Sequence, residues 1–94
     1  MEKIKYVGRW IVDNGKVVGN RECDIINKLI STELTFVADR DSGWVRLHRN
    51  SSTGIYWELS YPQGELHGGG PPTLETLTED EVVQRYGRIP RETR

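Results

Sequence analysis

The chain of 94 residues has little of what several protein classes need. Its one cysteine, Cys23, cannot form a disulfide within the chain, which is typical of a reducing compartment. Two histidines beside one cysteine make a structural zinc site unexpected, and we predict no metal and no cofactor. No apolar run approaches the roughly 18 residues that cross a membrane. The first residues also lack the apolar stretch of a secretory signal, so we expect a cytoplasmic protein without a membrane partner.

Lysine and arginine are missing from residues 55–84, although the net charge of the whole chain is only −1. The acids of this block are Glu58, Glu65, Glu75, Glu79, Asp80 and Glu81. A face built from them would repel nucleic acid and attract a basic protein. The alternative interpretation is an ordinary solvated face, which the composition favours slightly.

Patterns of apolar and turn residues predict a single domain over 1–87, followed by a charged tail at 88–94. Asn14-Gly15 is typical of a two-residue hairpin turn, Asn20 of a helix N-cap, and Thr78 with Glu81 of a capping box. Gly87 is suited to end the second helix. The predicted strands are 6–12, 16–18, 34–38, 44–49, 55–61 and 73–77, and the predicted helices are about 21–32 and 78–86.

The order of these elements is hairpin, helix, consecutive strands and a final helix. Short connections between consecutive strands predict an antiparallel sheet. Two amphipathic helices are expected to cover one face of it. The fold class predicted is therefore α+β, a small two-layer domain in which an antiparallel β-sheet packs against two α-helices.

Alternation along residues 55–61 separates two faces of that strand. Ile55, Trp57, Leu59 and Tyr61 form the expected buried face, and Tyr56, Glu58 and Ser60 the expected exposed face. Trp44 begins another strand and shares a face with Arg46 and His48. It is the best candidate for an exposed aromatic anchor, with a place at the edge of the core as the equal alternative.

The segment 62–72 is rich in glycine and proline and contains His67 followed by three glycines and two prolines. It resembles the oxyanion loop of some esterases, but the chain has no Gly-x-Ser-x-Gly elbow. A phosphate cradle is disfavoured, because prolines remove backbone donors and Glu65 lies nearby. Glu58 with Glu65 as an acid–base pair, or His48 with His67, are weak signals. We predict no catalytic residues; the loop has either a binding role or the purely structural one of turning the chain over Trp57.

Several strings resemble the immunity protein 27 family of bacterial polymorphic toxin systems. Gly8-Arg9-Trp10-Ile11 before Asp13-Asn14-Gly15-Lys16-Val17 is similar to the opening of that family. The closest similarity is Tyr56-Trp57-Glu58-Leu59-Ser60-Tyr61-Pro62, continuing through Glu65-Leu66-His67 to Pro72. The resemblance covers about residues 6–86. It implies a small α+β protein of the bacterial cytoplasm, encoded beside a toxin, which binds the toxin's C-terminal domain without catalysis or cofactor.

The resemblance and the acidic block together suggest a basic, nuclease-like toxin as the partner, because complementary charge speeds encounter. We predict that the partner-binding residues are Trp44, Glu58, Tyr61, Glu65, His67, Glu75 and Asp80. Two alternatives stay open. One is a stand-alone protein- or peptide-binding domain without a toxin partner, and the other, less favoured, is a small hydrolase.

Overall fold

The computed structural model describes residues 3–40, 43–62 and 70–87. Seven strands and two helices occur along these described residues. In chain order they are β1 (Lys5–Val7), β2 (Trp10–Asp13), β3 (Lys16–Gly19), α1 (Arg21–Thr32), β4 (Leu34–Arg40), β5 (Val45–Asn50), β6 (Tyr56–Ser60), β7 (Thr73–Leu77) and α2 (Glu79–Tyr86).

Five strands form the main sheet in the order β1-β7-β6-β5-β4, and every neighbouring pair is antiparallel. Strands β2 and β3 form a separate two-stranded hairpin. The predicted α+β class, with an antiparallel sheet and two helices, is confirmed. The predicted division into 1–87 and a tail stays a prediction, since 88–94 lie outside the described residues.

Local signals in the sequence account for the ends of the elements. Asn14 and Gly15 have φ of 54° and 78°, as a type I′ hairpin turn requires. The side chain of Asn20 caps α1, and Thr78 and Glu81 form the capping box of α2. Gly87 ends α2 with φ of 77°. These four predictions are confirmed.

One face of the main sheet holds the larger core, which α1 covers. Its buried residues are Ile26, Leu34, Trp57, Leu59 and Leu74. Tyr6 packs parallel to the Trp57 ring, with 6.1 Å between ring centroids. The buried residues of α1 are Cys23 and Ile26, which lie one turn apart on the face of the helix that meets the sheet.

The opposite face holds a second core of Leu47, Leu77 and Val82, which α2 covers. The two helices therefore lie on opposite faces of the sheet instead of sharing one. The even face of β6 was predicted to be exposed, and that prediction is wrong, because Tyr56 packs into this second core and Glu58 is buried. Polar residues on alternate positions usually mark a solvated face, but here they lie beneath α2.

Candidate protein-binding surface

Glu58, a predicted partner-binding residue, is buried with 4% of its surface exposed. Arg85 Nη1 donates to Glu58 Oε1 at 2.5 Å, and Arg40 Nη2 donates to Oε2 at 3.3 Å. Tyr86 Oη donates to Oε2 at 2.8 Å. Burial and the hydrogen bond to this carboxylate raise the pKa of Tyr86 above its ordinary value. The Glu58 carboxylate thus joins the C-terminal turn of α2 to the sheet, and two arginines compensate its charge inside the protein.

The other acids of the block that the structure describes differ in exposure and in their partners. Glu75 lies directly opposite Glu58 on the neighbouring strand and is half-buried. Glu81 accepts a hydrogen bond from Lys3 at 2.5 Å, which lowers the pKa of Glu81 to about 2. Asp80, beside Glu79 in the first turn of α2, is exposed. Charges that are segregated along the sequence are therefore partly compensated in space, by Lys3, Arg40 and Arg85.

Trp44 and Tyr61 are brought together by the structure. Their rings meet edge-to-face with 6.4 Å between centroids and an interplanar angle of 82°. Trp44 is 56% exposed and Tyr61 is half-buried against the larger core. An exposed aromatic ring that packs on a half-buried one is suited to anchor an interface. The binding role of Trp44 and Tyr61 stays a prediction. Glu65 and His67 lie outside the described residues.

The β2–β3 hairpin carries the largest set of exposed apolar side chains in the described chain. Cross-strand register places Trp10, Val12 and Val17 on one face, and Ile11 with Val18 on the other. All five are exposed, Val12 and Val17 by 73% and 68%. The sequence predicted the hairpin but not its exposure. The available signal was the unbroken apolar triplet in β2 and the apolar pair in β3, where an amphipathic strand would alternate.

A cavity of about 320 Å³ lies at the base of the hairpin. Its lining residues are Val7, Gly8, Arg9, Trp10, Pro62, Pro71 and Thr73. The Arg9 side chain is exposed, and within residues 3–40, 43–62 and 70–87 no hydrogen bond or ion pair reaches its guanidinium group. The cavity therefore combines an aromatic ring and two prolines with an available cation.

Asn20 holds the base of the hairpin against the main sheet and α1. Its side-chain oxygen accepts from the backbone N–H of Arg9 at 3.2 Å and of Cys23 at 3.1 Å. Its side-chain nitrogen donates to the Val7 carbonyl at 3.4 Å, and its backbone N–H donates to the Arg9 carbonyl at 2.9 Å. One residue thus caps α1 and orients the start of β2.

Asn20→Ala is expected to lower the free energy of unfolding by about 2 kcal/mol, since it removes a helix cap worth about 1 kcal/mol and two further hydrogen bonds. Urea denaturation followed by circular dichroism measures the change. Asn27→Ala is the matched control, because Asn27 is exposed on α1. Equal stability of the two variants would contradict the capping role of Asn20.

His48 is buried beside Phe36, whose ring meets it edge-on at 6.0 Å between centroids. Neither of its ring nitrogens has a hydrogen-bond partner among the described residues. Burial first, and then the positive charge of Arg46, lower the pKa of His48 from its ordinary value of 6.5. The folded protein therefore holds this imidazole neutral.

The pH dependence of stability follows from that shift. The unfolded chain takes up a proton at His48 as the pH falls through 6.5, whereas the folded chain takes it up only at a lower pH, so stability is lost on the acid side of 6.5. We expect urea denaturation between about pH 7.5 and pH 5.5 to show this loss, and His48→Phe to reduce its slope. An unchanged slope in His48→Phe would show that His48 titrates alike in both states.

Metal sites and membrane-spanning helices are two other features to consider in the described residues. No group of three or more histidine, cysteine or acidic side chains is placed to hold a metal ion in this part of the chain. Neither α1 nor α2, the helices among the described residues, has the length and apolar character to cross a membrane.

Comparison with known proteins gives a match to one family. A family model described as Immunity protein 27 matches residues 12–78, well over half of the chain. The matched segment begins inside β2 and contains β3, α1 and strands β4 to β7. Searches of curated proteins and of solved structures gave no match. The chain belongs to the Immunity protein 27 family.

Proposed function

We propose that this immunity protein binds the C-terminal domain of a cognate toxin and neutralises it by protein–protein contact, without catalysis. The observation that carries the proposal is the family match over residues 12–78. The cell that makes the toxin is the one protected, and the bacterial cytoplasm is the compartment where the two proteins meet.

The surface of the molecule supports a protein partner. Trp44 and the apolar residues of the β2–β3 hairpin are exposed, and contiguous exposed apolar surface is a mark of protein interaction sites. Aromatic side chains such as Trp44 and Trp10 are enriched among residues that dominate binding energy.

A basic, nuclease-like toxin is the finer part of the proposal, and its support comes from fewer acids than the sequence predicted. Glu79 and Asp80 are exposed in the first turn of α2 and remain available to a basic surface. Glu58 does not contribute, since its carboxylate is buried between Arg40 and Arg85. A steep loss of affinity with added salt would support the basic toxin.

Co-purification tests the binding step. The C-terminal domain of the toxin encoded beside this chain is tagged, co-expressed with the chain and purified. We expect a stable complex of the two proteins. A tagged domain that is folded but recovered alone would contradict the proposal and favour a stand-alone binding domain with another partner.

A further inference from the structure

We infer that the toxin docks on the β2–β3 hairpin and in the cavity at its base, an inference that rests on the proposed function. The partner chemistry that fits is an extended protein segment with apolar side chains beside a carboxylate. Such a segment would cover the exposed apolar hairpin, place one side chain in the cavity and pair its carboxylate with Arg9.

The first support is the exposure of the hairpin. Trp10, Val12 and Val17 leave one face apolar, and Ile11 with Val18 leave the other apolar as well. Within residues 3–40, 43–62 and 70–87 each of these strands pairs with the other alone, so both outer edges leave backbone groups without a strand partner there. A lone two-stranded hairpin is marginally stable in water. A partner that covers this surface buries the exposed apolar side chains, and a strand that it adds to one edge pairs the backbone groups of that edge.

The second support is the fixed position of the hairpin base. The Gly8 N–H donates to the Pro72 carbonyl at 2.7 Å, and Asn20 binds the backbone on both sides of Gly8. At Gly19 an added Cβ would lie 2.8 Å from Cys23 Cβ, which shows how closely β3 approaches α1. The exposed strands thus extend from an ordered base, and pre-organisation reduces the entropy cost of binding.

The third support is the cavity itself. Its volume of about 320 Å³ is at the low end of the range for small-molecule sites, and suits a single protruding side chain. Trp10, Pro62 and Pro71 supply apolar walls, and Arg9 supplies the charge. A guanidinium group recognises a carboxylate with two parallel hydrogen bonds, which gives both energy and orientation.

Charge complementarity favours the toxin over a second copy of this chain. A two-fold dimer through the hairpins would have to use the same surface on both copies. The acid within the hairpin is Asp13, which lies directly opposite Lys16 at the tip and so has a cationic neighbour already. A second copy would therefore bring arginine to a hairpin whose one acid already has a cationic neighbour. Among the described residues Arg9 has no carboxylate partner, and a foreign protein can supply one.

Three variants test the inference with the co-expressed toxin domain. Val12→Glu with Val17→Lys places opposite charges across the hairpin, which preserves strand pairing while removing apolar surface. Arg9→Glu reverses the charge at the cavity. Val83→Thr is the matched control, because Val83 is an exposed valine on α2 and threonine adds no charge beside Glu79 and Asp80. Thermal unfolding checks that each variant is folded, and Val12→Thr with Val17→Thr replaces the charged pair if that pair does not fold.

Binding is measured by titration calorimetry with the purified toxin domain. We expect the charged pair in the hairpin and Arg9→Glu each to bind at least about tenfold more weakly than the unaltered chain, with Val83→Thr unchanged. If the unaltered chain and all variants bind alike, the docking surface is elsewhere while the proposed function stands. If the unaltered chain does not bind, the proposed function fails and this inference fails with it. Light scattering of the unaltered chain tests for a dimer. If it shows one, and Val12→Glu with Val17→Lys makes that dimer monomeric and leaves toxin affinity unchanged, the hairpin is an interface between two copies of this chain, which overturns the inference.

Discussion

Glu58→Lys is expected to destabilise the protein by more than about 3 kcal/mol, which is a large part of the stability of a small domain. The substitution places an ammonium group where a buried carboxylate now accepts bonds from Arg40, Arg85 and Tyr86. The three groups that now donate to the carboxylate, two of them cationic, would then face another cation. Chemical denaturation measures the loss, and an unfolded variant at neutral pH is consistent with it.

Two milder variants distinguish the contribution of the Glu58 carboxylate to stability from that of the neighbouring Glu75 carboxylate. Glu58→Gln keeps the shape but removes the charge, and we expect a loss of about 1–2 kcal/mol, because both arginines are partly exposed to solvent. Glu75→Gln is the matched control on the adjacent strand, with an expected change below about 0.5 kcal/mol. Equal losses in the two variants would contradict the structural role of the Glu58 carboxylate. A charge reversal at Glu58 therefore reports on folding before it reports on toxin binding.

Gly8→Ala is expected to lower the free energy of unfolding by about 2–3 kcal/mol. A Cβ at this position would lie 2.5 Å from the Pro72 carbonyl oxygen and 2.8 Å from Cys23 Sγ. The same carbonyl accepts the Gly8 N–H bond, so the backbone has to shift where the main sheet gives way to the hairpin. Thermal and urea denaturation measure the loss, and weaker toxin binding should accompany it because the hairpin is displaced.

A double variant shows which contact matters. Cys23→Ala removes the sulfur atom but leaves the Pro72 carbonyl in place. We therefore expect Gly8→Ala with Cys23→Ala to stay destabilised relative to Cys23→Ala alone. Recovery to the stability of that reference would assign the whole effect to the sulfur contact and would contradict a clash with the Pro72 backbone.

Local chemistry made much of the fold predictable. The Asn14-Gly15 turn, the Asn20 cap and the Thr78–Glu81 capping box each rest on bonds between near neighbours, and each is confirmed. The first predicted strand, 6–12, instead divides at Gly8 into β1 and β2. At the break Gly8 lies against Pro72 and Cys23, which are distant in the sequence. A glycine inside a strand pattern was the local signal for such a close approach.

Which acids of residues 55–84 are exposed on the candidate surface could not be predicted from the sequence. The acids of this block looked unopposed because residues 55–84 contain no lysine or arginine. The compensating cations come from outside the block, with Lys3 at Glu81 and both Arg40 and Arg85 at Glu58. The exposure of Trp44 agrees with its predicted role as an anchor, although its contact with a partner stays a prediction. Long-range pairing decides which charges face solvent, and a sequence alone does not give that pairing.

Growth rescue tests the central claim most directly. The C-terminal domain of the neighbouring toxin is induced in cells with and without this chain, and growth is followed. We predict that the domain alone arrests growth, that the chain restores it, and that Val83→Thr restores it equally. Growth that stays arrested while the folded chain is present in excess would contradict the immunity function.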